Sequence, residues 1–220
     1  MDRPGPDEHS RRIAAESLAE RDPTGWFERL YAAAEQGEAV VPWDRGAPHA
    51  LLVQWARERG LEGAGRRALV VGCGLGDDAE FVAGLGFDTL AFDVSPTAVR
   101  AARGRFPGSR VRYVVADLLD PPAEWRGAFD LVVEIITVQS LPEPPRRQAI
   151  ANVACMVGAG GTLVVIATAR DAEDEAAGPP WPLTRAEVDA FASERLEAVQ
   201  IEDLREPGMR RWRAEFRAVA

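Results

Sequence analysis

Three glycines and two aspartates are the residues whose types and spacing point most directly to chemistry. Gly72, Gly74 and Gly76 follow an apolar run that reads as a buried strand, and Asp93 and Asp117 come at the ends of the next two such runs. Glycine lets the backbone approach a ligand closely, and a carboxylate accepts hydrogen bonds from hydroxyl and amino groups. Because ligands bind at the carboxyl ends of parallel strands, this pattern predicts a site for a nucleotide-like ligand.

The residues of this pattern are compatible with more than one class of ligand. The segment from Gly74 to Ala79 satisfies the G-x-G-x-x-G/A fingerprint of dinucleotide-binding proteins, and Asp93 follows near the expected distance. A nicotinamide-dependent oxidoreductase is therefore one alternative, and a non-catalytic cofactor-binding protein is another. Asp117, at the end of the third strand, favours instead a ligand whose adenine needs an acceptor for its exocyclic amine.

Alternating strands and helices must position these residues. The apolar runs predict strands at 66–71, 87–93, 110–116, 129–136 and 161–168, with helices at 76–85, 95–105 and 143–157 between them. Three helices at 10–22, 24–37 and 48–59 come before, and a helix at 184–193 and a hairpin of 196–204 with 209–219 come after. The sequence predicts an α/β fold, a Rossmann-like seven-stranded, mostly parallel sheet flanked by helices with a C-terminal antiparallel hairpin.

Composition excludes several classes of function. All 26 basic residues are arginine, which removes a Schiff-base lysine and a P-loop lysine from consideration. The net charge of −9 disfavours nucleic acid as a partner, since phosphate binding needs basic patches. Two cysteines and two histidines, all scattered, predict no disulfide framework and no metal site. Without an apolar run near 20 residues or a secretory signal, we expect no membrane association and a cytoplasmic location.

Residues 66–170 resemble the class I S-adenosylmethionine-dependent methyltransferases. The motifs that carry the resemblance are G-C-G-L-G, the aspartates Asp93 and Asp117, and F-D-L-V-V-E-I-I-T-V-Q-S-L-P at the fourth strand. The resemblance implies S-adenosylmethionine as cofactor. It implies that the backbone of Gly72, Cys73, Gly74 and Gly76 approaches the methionine moiety, and that Glu134 faces the methionine amino group. It also implies that Asp93 accepts hydrogen bonds from the ribose. Val94 is then expected to flank the adenine, and Asp117 with Leu118 to hold the amino edge of the adenine. One departure is Val70, which stands where the family commonly has an acidic residue.

The N-terminal stretch V-P-W-D-R-G-A-P resembles the thiopurine, thiol and halide methyltransferases. It implies that Trp43 and Asp44 belong to a lid over the cofactor. The predicted division is residues 1–46 as this helical lid segment and residues 47–220 as the methyltransferase domain of a single-domain protein. The predicted substrate-binding residues are Trp26, Tyr31, Thr137, Gln139 and Trp181; each of these could equally serve ordinary packing or satisfy backbone groups.

The resemblance and the composition together predict methyl transfer to a small-molecule acceptor. A thiolate or halide needs no protein base, whereas a phenol or a protonated amine usually does. No carboxylate–histidine pair stands out, which favours sulfur of a small apolar or heterocyclic compound and leaves N- or O-methylation as the alternative. Asp44 and Glu134 are possible bases, and no catalytic residue is assigned. The oligomeric state stays open, with a monomer as one possibility.

Overall fold

A seven-stranded sheet with the order β3-β2-β1-β4-β5-β7-β6 forms the centre of the computed structural model, which describes residues 6–175 and 178–219. Strands β1 to β5 are parallel, and β7 runs antiparallel to both β5 and β6. This confirms the predicted sheet and its C-terminal hairpin. The strands are β1 Arg67–Val71, β2 Asp88–Asp93, β3 Arg112–Val115, β4 Phe129–Ile135, β5 Val157–Thr168, β6 Leu196–Glu206 and β7 Met209–Ala218.

Helices cover both faces of the sheet, because its central strands are apolar on both sides. The helices are α1 Pro6–Ala19, α2 Gly25–Glu35, α3 Ala50–Glu58, α4 Asp77–Gly84, α5 Pro96–Arg105, α6 Pro145–Cys155 and α7 Arg185–Asp189. Helices α3, α4 and α5 bury their apolar side chains against one face. Helices α6 and α7 do the same on the other. All strand ends that carry predicted ligand residues therefore meet at one edge between the two layers.

Several element boundaries differ from the predicted ones, and the start of β5 and the end of α7 have local explanations. Strand β5 begins at Val157 rather than 161, because Gly161 lets the backbone pass where a Cβ would lie 2.8 Å from the carbonyl oxygens of Gly158 and Phe129. Helix α7 begins with a capping box of Thr184 and Glu187 but ends at Asp189 rather than 193. The chain then turns into β6, with the N–H of Ser193 donating to the carbonyl of Leu196 at 2.9 Å.

The N-terminal helices are tied to α5 by a half-buried carboxylate. Glu28, on α2, accepts hydrogen bonds from the hydroxyls of Ser95 at 2.5 Å and Thr97 at 2.6 Å, and from the N–H of Thr97 at 3.1 Å. Ser95, the N-cap of α5, in turn accepts from the N–H of Ala98 at 3.0 Å. Helix α2 therefore sits on the first turn of α5, directly beside the edge at which the parallel strands end.

Candidate functional site

A cleft opens at the carboxyl edge of the parallel strands, with about 1040 Å³ of free space that includes solvent at its open side. The loops after β1, β2, β3 and β4 form its floor, and α2 with the segment that follows it forms one wall. Its walls are apolar for the most part, with a small number of carboxylates among them, which is the usual make-up of a small-molecule site. Eleven predicted site residues line the cleft: Tyr31, Trp43, Gly72, Cys73, Gly74, Gly76, Asp93, Val94, Asp117, Leu118 and Thr137.

The loop between β1 and α4 brings the backbone into the cleft. Gly72, Gly74 and Gly76 have φ angles of 57°, 52° and 98°, a region that favours glycine. A Cβ at Gly72 would lie 2.5 Å from the hydroxyl oxygen of Thr137, and one at Gly74 would lie 2.9 Å from that of Tyr31. The glycines therefore make room for the walls of the cleft as well as for a ligand, and any side chain here would fill the cradle.

Asp93, at the end of β2, holds this loop in place. One carboxylate oxygen accepts from the N–H of Gly74 at 2.9 Å, and the other accepts from the N–H of Ser95 at 2.9 Å. Burial raises the pKa of Asp93 to about 6, against the opposing effect of these backbone hydrogen bonds. Each oxygen retains a second lone pair, so the carboxylate can also accept from a hydroxyl group in the cleft.

Asp117, after β3, presents a carboxylate beside an apolar groove. One oxygen accepts from the N–H of Leu119 at 2.8 Å. Phe92, Val94 and Leu118 supply apolar surface on the same side of the cleft. An apolar slot with a carboxylate at its edge fits a flat heterocycle that carries an amino group. Asp93 and Asp117 thus border the same cleft as the glycine loop.

The N-terminal wall of the cleft is held by an aromatic pair and an ion pair. The indole N–H of Trp43 donates to the hydroxyl of Tyr31 at 2.7 Å, and the two rings meet edge to face with centroids 5.9 Å apart. Arg105, on α5, pairs with Asp44 at 2.8 Å and with Asp77 at 3.0 Å. The Arg105 guanidinium lowers the pKa of Asp44, so this carboxylate serves as an anchor for the segment and is a poor base.

Three predicted substrate residues lie outside the cleft lining. Trp26 is 2% exposed and stacks on Phe27 with ring centroids 4.0 Å apart, and it is Phe27 that lines the cleft. Gln139 is fully buried, and its side-chain oxygen accepts from the N–H of Thr168 at 2.7 Å. Its carbonyl accepts from the N–H of Trp181 at 2.7 Å, and the Trp181 ring lies against Arg146. Gln139 and Trp181 therefore join the loops after β4 and β5 and do not line the cleft.

Glu134, predicted to face the methionine amino group, is also absent from the lining. It is fully buried at the end of β4, and one oxygen accepts from the N–H groups of Thr137 at 2.8 Å and Val138 at 2.9 Å. Its second oxygen is buried and has no hydrogen-bond partner among the described residues. Burial raises the pKa of Glu134 to about 7. Its position makes Glu134 an anchor of the turn that carries Thr137 into the cleft.

The structure adds lining residues that the sequence interpretation missed. Phe27 shares a face of α2 with Tyr31, four residues on, whereas Trp26 lies five residues before Tyr31 and points elsewhere; helical spacing alone could have made this distinction. Ile136 lines the cleft with a φ of 61°, strained for a β-branched residue, and no sequence signal marks it. Arg45 and Asp78 also line the cleft.

Comparison with known proteins finds matches to the central part of the chain. Residues 68–161 match a family model described as a methyltransferase domain. The ubiquinone biosynthesis O-methyltransferase of Xanthomonas axonopodis pv. citri (strain 306) is 35% identical over 130 residues, which cover 55% of this chain and 53% of that protein. The one of Bordetella avium (strain 197N) is 29% identical over 113 residues, which cover 50% of this chain and 46% of that protein. The chain spans about half the length of the curated relatives it matches.

Solved structures share the fold at lower identity. One, from a study of the conversion of a disulfide bond into a thioacetal group during echinomycin biosynthesis, has a TM-score of 0.70 and 23% identity, over 88% of this chain and 93% of that one. Magnesium protoporphyrin IX methyltransferase of Synechocystis PCC 6803 with bound S-adenosylmethionine has a TM-score of 0.61 and 16% identity, over 76% of each chain. Residues 68–161 thus match a methyltransferase domain, and these solved structures share the fold of the chain.

Proposed function

We propose that this protein transfers the methyl group of S-adenosylmethionine to sulfur on a small, largely apolar acceptor. One observation carries the proposal: the groove beside Asp93 and Asp117 and the aromatic wall of Tyr31 and Trp43 border the same cleft. When bound, the cofactor supplies a methyl group that a sulfonium already activates. The chain has then to hold the nucleophile in line with that methyl group and to exclude water.

The cofactor roles of individual residues are part of this proposal. The backbone of Gly72, Cys73, Gly74 and Gly76 contacts the methionine moiety, and Asp93 accepts from the ribose hydroxyls. Val94 and Leu118 enclose the adenine, and Asp117 accepts from its amino group. Trp43 closes the cleft from the N-terminal side. Glu134 acts through the turn it anchors, since it does not line the cleft.

The remaining surface of the cleft defines the acceptor. Phe27, Ile135, Ile136 and Leu141 line it together with the hydroxyls of Thr137 and Ser140. However, the Ser140 hydroxyl donates to the carbonyl of Ile136 at 2.8 Å, and that of Thr137 lies 3.2 Å from the carbonyl of Val71. The polar groups of this wall are thus already engaged. An apolar ring or chain bearing one nucleophilic atom suits it best, in agreement with the resemblance to the thiopurine, thiol and halide group.

The histidine in this region is unsuited to activate an alcohol, which supports sulfur as the target. His49 caps α3, where its Nδ1 accepts from the N–H of Leu51 at 3.2 Å. Burial, followed by the charges of Arg45 and Arg211, lowers the pKa of His49 to about 4. A ring that is neutral and has its acceptor nitrogen engaged cannot readily take a proton from a phenol. A thiol ionises near neutral pH without help.

O-methylation is the second candidate, and Asp78 is the observation that favours it. This carboxylate lines the cleft, and burial raises its pKa. One oxygen accepts from the N–H of His49 at 2.6 Å, which leaves the other to take a proton from an acceptor hydroxyl. The curated relatives are named O-methyltransferases, which also supports this candidate.

Product analysis distinguishes the two candidates. The full chain would be incubated with methyl-labelled S-adenosylmethionine and either 4-mercaptobenzamide or 3,4-dihydroxybenzamide, and the products analysed by mass spectrometry. We expect methylation of the thiol, and equal rates for wild type and Asp78→Asn, because the thiolate needs no base. Methylation of the phenol alone, lost in Asp78→Asn, would replace sulfur by oxygen. Asp189→Asn, an exposed change on α7, controls for the loss of a charge.

A further inference from the structure

The turn after β4 holds a β-branched residue in a backbone conformation that favours glycine. Ile136 has a φ of 61°. Most described residues with a positive φ are glycines; the others are Arg21, at 63°, and Ala64, at 48°, and both lie exposed in turns. Ile136 differs from these two, because it is half-buried and lines the cleft. A branched Cβ makes this conformation costly, so its presence calls for a reason.

Hydrogen bonds on both sides hold Ile136 in this conformation. Its N–H donates to the carbonyl of Ile166, on β5, at 2.9 Å. Its own carbonyl accepts from the hydroxyl of Ser140 at 2.8 Å. The N–H of Thr137, the next residue, donates to the buried carboxylate of Glu134 at 2.8 Å. The neighbours therefore fix the turn, which is the condition under which a strained residue persists in a folded protein.

The strained turn brings three consecutive residues to the cleft. In an extended strand successive side chains point to opposite faces, so a straight continuation of β4 would bring only alternate residues to one side. Ile135, Ile136 and Thr137 nevertheless all line the cleft. The left-handed conformation of Ile136 changes the direction of the chain at this point and accounts for the difference.

The turn lies beside the glycine loop. Strand β4 is next to β1 in the sheet, so the turn is one strand, about 4.8 Å, from that loop, on the side away from Asp93 and Asp117. Thr137 reaches the loop itself, since a Cβ at Gly72 would lie 2.5 Å from the Thr137 hydroxyl oxygen. In the proposed function this loop contacts the methionine moiety, which carries the sulfonium. Ile136 therefore borders the place where the acceptor must approach the methyl group.

We propose that the side chain of Ile136 sets the acceptor specificity by excluding bulk beside the nucleophilic atom. A substituent on the carbon next to that atom would meet the branched side chain, which the fixed turn prevents from moving aside. One methyl group too many in a closely packed site weakens binding by about tenfold or more. This inference rests on the proposed function, because it names a determinant of acceptor choice in the same cleft.

Two thiols that differ only in the methyl groups beside sulfur test the inference. Binding of benzenethiol and 2,6-dimethylbenzenethiol to the full chain would be measured by titration calorimetry with bound sinefungin, in which an amine takes the place of the transferred methyl group. We expect the wild type to bind benzenethiol about tenfold or more tightly than its dimethyl derivative. In Ile136→Gly the preference reverses, because the two methyl groups then gain apolar contact without a clash.

Two further variants separate the side chain from the backbone strain. Ile136→Asn keeps the number of side-chain heavy atoms and tolerates a positive φ, so it should still prefer benzenethiol. Ala64→Gly relieves a positive φ in an exposed turn outside the cleft lining and should keep the full wild-type preference. Thermal unfolding checks each variant. We expect Ile136→Gly to melt close to the wild type, because relief of strain offsets the contacts that are lost.

Three outcomes would overturn the inference. One is equal binding of the two thiols by the wild type. Another is that Ile136→Gly keeps the wild-type preference. The third is that Ile136→Asn loses the preference as completely as Ile136→Gly, because Ile136 would then act through the shape of the turn and not through its bulk. Failure of the proposed function is separate, since it would appear as absent methyl transfer from S-adenosylmethionine to benzenethiol by the wild type, whichever thiol binds.

Discussion

At the scale of single residues, Asp93 combines two requirements in one carboxylate. Its oxygens fix the glycine loop and the start of α5 through the N–H groups of Gly74 and Ser95, and the same oxygens border the cleft. A ligand hydroxyl would therefore find an acceptor that the fold has already oriented and desolvated. Such preorganisation reduces what binding must spend on ordering the site.

Asp93→Asn tests this role with little change of shape. The amide keeps one oxygen for a backbone N–H but loses the charge, so we expect S-adenosylhomocysteine to bind more weakly by about 1.5 to 3 kcal/mol, the range for a hydrogen bond to a charged group. Titration calorimetry measures this, with NAD expected to show no comparable binding. Asp88→Asn, at the exposed start of β2, is the control. Undiminished affinity in Asp93→Asn would refute the ribose role.

Glu134 makes a prediction about pH. Its pKa is raised from 4.5 to about 7, so the folded protein holds this proton more tightly than the unfolded chain does. The stabilising effect is complete below about pH 4.5 and is lost as the pH rises through 7. Glu134→Gln, which stays neutral, should be more stable than wild type at pH 8 by about 1 to 3 kcal/mol and nearly equal at pH 5.

Urea unfolding at the two pH values measures the difference. Glu197→Gln, an exposed change on β6, should reproduce the wild-type profile. Asp93 contributes a slope of the same sign, because its pKa is raised to about 6, so some pH dependence remains in Glu134→Gln. A variant that is less stable than wild type at pH 8 would contradict the assignment of a buried, unpaired carboxylate oxygen.

At the scale of elements, helix α2 has aromatic residues on two faces, one packed against α1 and one lining the cleft. Trp26 and Leu30 pack with Ile13 of α1 and are buried. Phe27 and Tyr31 face the cleft, where Tyr31 meets Trp43. One face of the helix therefore carries stability and the other carries the site.

This division predicts that substituting Trp43 mainly lowers turnover, whereas substituting Trp26 mainly lowers stability. Trp43→Ala removes a wall of the cleft and a hydrogen bond at its edge, so turnover should fall about tenfold or more while the melting temperature falls little. Trp26→Ala leaves a cavity among buried side chains and should cost about 3 to 5 kcal/mol of stability. Product formation per folded enzyme and thermal unfolding measure both. Equal loss of turnover per folded enzyme in the two variants would contradict it.

The sequence predicted the elements better than it predicted which of their faces meet the ligand. Glycines and acids at strand ends are local signals, and the structure brings Gly74, Asp93 and Asp117 to one cleft. Gln139 and Trp181 bind each other across loops that are 42 residues apart in the sequence, a long-range pairing without a local signature. The early start of β5 was missed because its glycines also suit a turn.

At the scale of the whole molecule, Arg105 joins three parts that are distant in sequence. It reaches from α5 to Asp44 in the N-terminal segment and to Asp77 at the start of α4. The segment that carries Trp43 is thereby held over the cleft by charge as well as by packing. No helix among residues 6–175 and 178–219 is long and apolar enough to cross a membrane. A cytoplasmic location stays a prediction.

Arg105→Gln should loosen that segment without unfolding the sheet. We expect hydrogen exchange to rise in residues 41–48 and S-adenosylhomocysteine to dissociate several-fold faster, while β1 and β4 keep their protection. Raising the salt concentration should produce part of the same effect in the wild type, because the pairs are partly exposed. Arg112→Gln is the control, because Arg112 pairs with Asp88 at the starts of β3 and β2.

Strand β7 is synthesised last, but it pairs with elements that are made much earlier. It is inserted between β5 and β6, and its Glu215 accepts from the indole of Trp55 at 3.0 Å and from Arg59 at 2.8 Å. Trp55, on helix α3, leaves the ribosome 160 residues before Glu215 does. Until then Trp55 and Arg59 lack the carboxylate that accepts their hydrogen bonds, and one edge of β5 is unpaired. A nascent chain that pauses after residue 200 would therefore expose the unpaired edge of β5, to which chaperones or other chains could bind.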